Sequence, residues 1–324
     1  MRAIVQHRYG APEEVLRLEE VAVPAVDAHD VLVRVRASSA NPWDWHFVRG
    51  EPVLLRPAGL GGVRRPRFEV PGGDVAGTVE QVGAEVEGLS VGDEVYGFGH
   101  GAFADFVSVP QRHVARKPGN LTFEQAAAVP LAGVTAIQGL RAGGLRPGQH
   151  VLIIGASGGV GTFAVQIARH LGARVTGVCS TAHLRLVHDL GAEEVIDYTT
   201  QDITAGTERY DLVFQLGGRT PPRVLRRVLT SRGTLLQSAG DGNRWLGPLG
   251  GMVQAAVLNL VVGQTLKTFV ADETTETLDE LRDLVEAGAV VPVVDRTYPL
   301  SQAAAAIRFV EEGRPAGKVV VSVA

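Results

Sequence analysis

Residues 151–161 read Val-Leu-Ile-Ile-Gly-Ala-Ser-Gly-Gly-Val-Gly, an apolar run that breaks into a glycine-rich turn and continues as a helical pattern over 162–171. Such spacing presents main-chain N–H groups to a ligand, and the pyrophosphate of a dinucleotide is the group that needs them. Gly158 lets the main chain approach phosphates, and Gly161 lets the helix lie close on the strand. The helix N-terminus adds the positive end of its dipole. The usual pattern is Gly-x-Gly-x-x-Gly; here Ala156 takes the first glycine position. A glycine turn alone is weak, because any tight strand-to-helix turn favours glycine. The strand before it, the helix after it and a second apolar run at 174–179 supply a βαβ context. The ligand implied is a nicotinamide or flavin nucleotide.

The residues about twenty positions beyond the turn decide between cofactors, because an NAD site carries Asp or Glu there for the ribose 2′-hydroxyl. This chain has Val178-Cys179-Ser180-Thr181-Ala182-His183, with no acid. Ser180, Thr181, His183 and Arg185 offer donors to a 2′-phosphate, so charge favours NADPH over NADH. The same residues could simply cap and face the helical run 184–190, and both readings stand.

A chain of 324 residues exceeds what one core usually fills. Up to about residue 121 the pattern is one of short alternating runs, such as 31–36 and 77–82, between Gly and Pro turns, which predicts a β-rich domain. From 123 to about 270 helices and strands alternate, with strands expected at 151–154, 174–179, 194–196, 211–215 and 234–237. That order predicts an α/β doubly wound parallel sheet. The tail adds helices at 278–287 and 301–312 and a strand at 318–323, and returns to the first domain. The expected domains are therefore 1–122 with 271–324, and 123–270.

A net charge of −4 gives no electrostatic case for nucleic acid or an anionic membrane. The single cysteine, Cys179, excludes an intramolecular disulfide and a cysteine-based structural zinc site, and its strand position suits a small buried hydrophobe. No arginine-rich or apolar leader precedes the first strand-like run at 2–6, so the expected location is cytoplasmic. The stretch 245–266 is uncharged and about the length of a membrane span, but Gly247, Pro248, Gly250, Gly251 and Asn259 interrupt it. It reads as a partly helical segment over the active site or a subunit interface, which leaves a homodimer open. The loop 51–71, with Arg56, Arg64, Arg65 and Arg67, is either a surface excursion or a lid over substrate or cofactor phosphates.

Several further motifs follow one another along almost the whole chain. They are Ala40-Asn41-Pro42-Trp43-Asp44, Pro71-Gly72-Gly73-Asp74-Val75-Ala76-Gly77, Val91-Gly92-Asp93-Glu94-Val95, Gly101-Ala102-Phe103-Ala104-Asp105, Pro130-Leu131-Ala132-Gly133-Val134-Thr135-Ala136, Val195-Ile196-Asp197-Tyr198 and Ala316-Gly317-Lys318-Val319. With the turn at 156–161 they resemble the medium-chain dehydrogenase/reductase superfamily, in its zinc-free quinone oxidoreductase branch. The resemblance implies a Rossmann domain joined to a β-rich GroES-like catalytic domain. Zinc-dependent relatives carry a ligand cysteine near Asn41 to Asp44 and Gly-His-Glu near Gly72-Gly73-Asp74, and neither occurs here. No metal ligand is expected, and His46 and His100 read as isolated histidines.

The implied cofactor is NADPH. The resemblance puts Ser157, Gly158, Gly159 and Val160 on the pyrophosphate and Ser180 and Tyr198 at the 2′-phosphate. Many relatives carry a basic residue where this chain has Ala182. Thr135, Leu216 and Gly217 are expected at the nicotinamide end, with Arg314, Pro315 and Ala316 approaching from the tail. Asn41 is the candidate catalytic residue, its amide facing the acceptor or the nicotinamide ribose, or else bonding its own turn before Pro42. Without a metal to stabilise an alkoxide, the acceptors that remain are those already polarised for hydride attack. The expected activity is zinc-independent hydride transfer from NADPH to a quinone or α,β-unsaturated carbonyl. The alternatives are an enone or enoyl reductase of a specialised-metabolite pathway and a non-catalytic NADPH-binding protein.

Overall fold

The computed structural model describes residues 1–56, 62, 65–238, 254–255, 258–259 and 262–323. The chain forms two compact units, Met1–Val134 with Asp272–Ala324, and Thr135–Ala271. It opens with β1 (Arg2–Gln6), α1 (Pro12–Val15), β2 (Leu16–Glu20), β3 (Asp30–Ala40), α2 (Pro42–Arg49), β4 (Asp74–Val82), β5 (Glu94–Phe98), β6 (Phe106–Pro110) and β7 (Val114–Arg116). Two helices follow, α3 (Phe123–Ala127) and α4 (Pro130–Ala142), the second of which starts in the first unit and ends in the second. The second unit continues with β8 (His150–Ile154), α5 (Gly159–His170), β9 (Arg174–Cys179), α6 (Leu184–Asp189), β10 (Glu194–Asp197), β11 (Tyr210–Gln215), α7 (Pro222–Leu225), β12 (Leu229–Ser238) and β13 (Thr265–Phe269). The first unit is completed by α8 (Thr275–Glu286), β14 (Val294–Pro299), α9 (Ala303–Glu311) and β15 (Lys318–Ser322).

In the first unit a seven-stranded sheet runs β14-β15-β3-β4-β5-β7, with β6 also paired to β3. The long strand β3 organises it: β4 lies along one edge, while the other edge takes β6 at 30–34 and β15 at 37–40. Val31, Val33 and Val35 alternate into a core shared with Val75, Val107 and Val319, as the two-residue period of a strand requires. In the second unit the sheet order is β10-β9-β8-β11-β12-β13, and every pair is parallel. All five residues of β8 are buried, because a central parallel strand is covered on both faces. The order reverses between β8 and β11, so the crevice beyond their carboxyl ends is the place where such a sheet binds a ligand.

The break between units falls later than the sequence pattern suggested. Helix α3 belongs to the first unit, packing on β3, β4 and β15, and the start of α4 follows it. Strands β13 and β14 were not anticipated. β14 is a largely exposed edge strand, Val-Asp-Arg-Thr-Tyr-Pro, whose polar side chains hide its strand character. β12 starts well before the expected 234, because exposed residues at 231 and 232 and Gly233 interrupt its apolar pattern. Most of the segment expected to be partly helical at 245–266 lies outside the described residues. Where it is described, Ala255 is buried against the core that contains Leu152 and Leu266. The Asn259 amide bonds both the N–H and the C=O of Leu266 at 2.8 Å, standing in for a neighbouring strand on β13. Among the described residues no helix is long and apolar enough to cross a membrane.

Candidate functional site

The nucleotide turn is built from main chain. The left-handed residue is Gly155, at φ 86°, so the next position needs no positive φ and can be alanine. Gly155 and Ala156 donate to Val178 O of β9 at 3.1 and 3.0 Å, fixing the turn to the neighbouring strand. The Ala156 methyl is tolerated because its neighbour on β9 is Gly177, where an added Cβ would sit 3.1 Å from Ala156 Cβ. Gly161 is sterically obligatory: a Cβ there would lie 2.1 Å from Gly155 O. Gly158 caps α5, whose first turn carries no acidic side chain. The N–H groups at 159–161 therefore have no intrahelical partner and meet no competing carboxylate of their own turn.

Two further expected positions come to this turn within the second unit. Leu216 N donates to Ile154 O at 2.9 Å, and a Cβ on Gly155 would lie 3.3 Å from Gly217 N. Thr135 is buried near the start of α4, one turn before Gly139, which packs on the Phe214 ring of β11. On β9 and β10, Asp197 stands in register with Cys179, and Tyr198 N donates to Cys179 O at 3.2 Å while its side chain is 60% exposed. Burial pushes the Cys179 thiol up to about 11, with Asp197 adding to the effect, so it is an inert packing residue. The Asp197 carboxylate accepts from the Thr181 hydroxyl at 2.5 Å and from Thr199 N and hydroxyl at 2.9 and 2.6 Å. Asp197 lies one strand beyond β9, and parallel pairing of β9 with β10 brings its carboxylate to the residues that follow β9. Arg314, Pro315 and Ala316 lie in the first unit on the turn into β15, with Ala316 N bonded to Asp295 at 3.3 Å and Arg314 paired with Glu312 at 3.1 Å.

The first unit has its own polar centre, built from side chains. Asp74, at the start of β4, is fully buried and accepts from the Ser39 hydroxyl at 2.5 Å, the Asn41 amide at 2.9 Å and the Lys318 ammonium at 3.1 Å. Its other oxygen accepts Leu131 N at 2.8 Å in the first turn of α4, where the helix dipole favours a negative charge. Lys318 also donates to Asn41 Oδ1. The Asn41 amide is thus bonded to Ser39 O, Asp74 and Lys318 and is 3% exposed. This departs from the expectation of an amide facing the acceptor, because both of its N–H donors are spent inside the unit. Asp44 accepts Asn41 N at 2.7 Å and Gly72 N at 3.2 Å, and burial, opposed by these bonds, pushes its carboxyl up to about 7.

Asp44 also borders a small pocket with Trp43, Phe47, Phe68, Val70 and His100. His100 stacks on Phe68 at 4.3 Å and meets Phe98 edge-on at 5.5 Å, and burial holds its imidazole below the usual range. His46 bonds Glu51 O at 3.2 Å. Among the described residues no three His, Cys, Asp or Glu side chains gather to hold a metal ion. Around Asp74 the positive charge is the Lys318 ammonium itself, so this donor set does not fit zinc.

Known proteins share this architecture. Residues 27–119 match the alcohol dehydrogenase GroES-like domain, 124–231 the alanine dehydrogenase/PNT C-terminal domain and 190–321 the zinc-binding dehydrogenase domain. The 2-methylene-furan-3-one reductase of Solanum lycopersicum is 34% identical over 99% of this chain and 79% of that protein. The chloroplastic NADPH-dependent alkenal/one oxidoreductase of Arabidopsis thaliana is 33% identical over the same shares. The solved Escherichia coli quinone oxidoreductase in complex with NADPH superposes with a TM-score of 0.84 at 26% identity, covering 100% of both chains. A GroES-like unit joined to a parallel dinucleotide-binding sheet defines a two-domain oxidoreductase. The chain belongs to the medium-chain dehydrogenase/reductase superfamily, in its quinone oxidoreductase-like branch.

Proposed function

We propose that this protein is a zinc-independent oxidoreductase that uses NADPH to reduce a quinone or an α,β-unsaturated carbonyl. The observation that carries the reading is the main-chain turn at 155–161, set at the β8/β11 switch point of the parallel sheet. In this reading the N–H groups of Ser157, Gly159 and Val160 hold the pyrophosphate, Gly158, whose own N–H is donated to Gly155 O at 3.1 Å, lets the main chain come close to it, and Ser180 and Tyr198 meet the 2′-phosphate. Thr135, Leu216 and Gly217 border the nicotinamide. NADPH, when bound, supplies the hydride. A conjugated acceptor takes hydride at carbon without a Lewis acid, and solvent can return the proton. Asn41 acts as a positioning residue, holding Asp74 and Lys318 rather than the acceptor.

The enone arm is favoured over the quinone arm by the tomato and Arabidopsis relatives, both of which are named for unsaturated carbonyl substrates. A cytoplasmic location and a homodimer belong to the same reading. The solution mass would test the homodimer.

The deciding assay follows NADPH absorbance against quinones, enones, aldehydes and alcohols, with metal content measured alongside. Enones and quinones should be consumed by protein containing substoichiometric zinc, and primary alcohols with NADP⁺ should give little turnover. Activity confined to alcohols overturns the reading, and NADPH binding without turnover of any acceptor favours a binding protein. Asn41→Ala should lower stability by about 1–3 kcal/mol while leaving NADPH affinity near wild type.

A further inference from the structure

The corner where β9 and β10 end carries more than the two residues assigned to the 2′-phosphate. Thr181 follows Ser180 directly, and Asp197 and Thr199 flank Tyr198. Parallel pairing sets Asp197 opposite Cys179, so its carboxylate comes against the turn that leaves β9. There it accepts from the Thr181 hydroxyl at 2.5 Å and from the Thr199 hydroxyl at 2.6 Å.

A hydroxyl has one proton to give. The two hydroxyls also lie 3.0 Å from each other, so their protons are taken up by Asp197 and by the neighbouring hydroxyl, and the outward sides of Thr181 and Thr199 present lone pairs, which a phosphate cannot use. The carboxylate is ionised at neutral pH, since the Thr181 hydroxyl and then the Thr199 hydroxyl hold it below the usual range. Of the residues that follow β9, Arg185 is 94% exposed and lies 3.5 Å from Asp189, and the position after Thr181 is Ala182. A 2′-phosphate would therefore meet a fixed negative charge and inward-turned hydroxyls, whereas a 2′-hydroxyl could donate to the same lone pairs.

We infer that Asp197 is a specificity-determining residue for the dinucleotide: by its charge, and by drawing the Thr181 and Thr199 protons inward, it holds the preference for NADPH over NADH to a small factor. This rests on the dinucleotide reading given above. It adds to it the prediction that the two cofactors compete closely in the wild type and that one neutral isostere separates them.

The test is a fluorescence titration of wild type and Asp197→Asn with NADPH and with NADH, so no acceptor or turnover is needed. Asparagine keeps the shape, removes the charge and replaces one acceptor oxygen with an N–H donor, so the threonine that faced that oxygen can turn its proton outward. NADPH should bind the variant about tenfold more tightly, and NADH affinity should change by less than about twofold. If both cofactors tighten equally, or neither changes, the inference is overturned. A wild-type preference for NADPH above about a hundredfold also overturns it, and this measurement does not depend on the variant folding. If the wild type binds neither cofactor, the dinucleotide reading itself falls.

Discussion

Asp74 and Gly158 both stand at the edge of a secondary element where polar groups converge, yet they are built to opposite plans. Around Asp74 every partner is a side chain or a capped helix N–H, the centre is buried, and an ammonium is enclosed with the carboxylate. Around Gly158 the polar groups are main-chain amides, left half-exposed, and the side chains matter mainly by being absent. The first arrangement satisfies itself and fixes the ends of β3, β4, β15 and α4. The second satisfies only part of itself, so it retains capacity for an anion. A buried pair is sensitive to the loss of either charge, and a backbone cradle is sensitive to added volume.

That contrast can be broken most forcefully at Lys318. Lys318→Met leaves Asp74 buried without its ammonium, and urea denaturation should record a loss of about 3–5 kcal/mol. Adding Asp74→Asn should recover much of it, since neither charge then remains. A loss below about 1 kcal/mol for the single variant would mean that the centre is solvated and is not the closed cluster described.

A smaller effect on stability, with a larger one on binding, is expected in the second unit. Gly161→Ala forces α5 away from Gly155 O at a cost of about 1–3 kcal/mol, and NADPH affinity should fall at least about tenfold. Ser157→Ala should change that affinity by less than about threefold, because its contribution to the cradle is a main-chain N–H. Should Ser157→Ala prove the more damaging of the two, the cradle is made of side chains after all.

The subtlest effect is a pH dependence. Burial, followed by the charges of Asp74 and Asp272, pushes the Glu273 carboxyl up to about 7. A raised carboxyl binds its proton more tightly in the folded state than in the unfolded chain. Its contribution to stability is therefore full below the ordinary carboxylate range and is lost as pH rises through about 7. Asp44 acts in the same direction, while His100 and His150, held low by burial, act in the opposite one. The informative quantity is the difference between proteins: Glu273→Gln should lose less stability than wild type between pH 5 and pH 8, by on the order of 1 kcal/mol after solvent screening. Parallel urea midpoints across that range would show that Glu273 is solvated.

The nucleotide turn, its flanking strands and the return of the tail to the first unit were legible because each depends on local pattern: an apolar run, glycines at fixed offsets, the alternation along β3 and the three successive valines of β15. Strand β14 was not legible, because its exposed edge carries the composition of a loop. The position of the unit boundary was obscured for a different reason: α3 and the start of α4 look like the first helices of the alternating region, and only their packing assigns them to the other unit.

The sequence by itself determined which groups are present: a glycine set that can expose amides, no cysteine ligand, one lysine at the start of the last strand, and hydroxyls after β9. Tertiary structure decided where their hydrogen bonds go. Asn41 reads equally as a residue facing the acceptor or as a turn residue, until β15 brings Lys318 and β4 brings Asp74 to its amide. Thr181 reads as a phosphate donor until β10 sets Asp197 beside it. A hydrogen-bond donor has a fixed number of protons, and which acceptor takes each one is settled by residues tens or hundreds of positions away, at distances that no local pattern encodes.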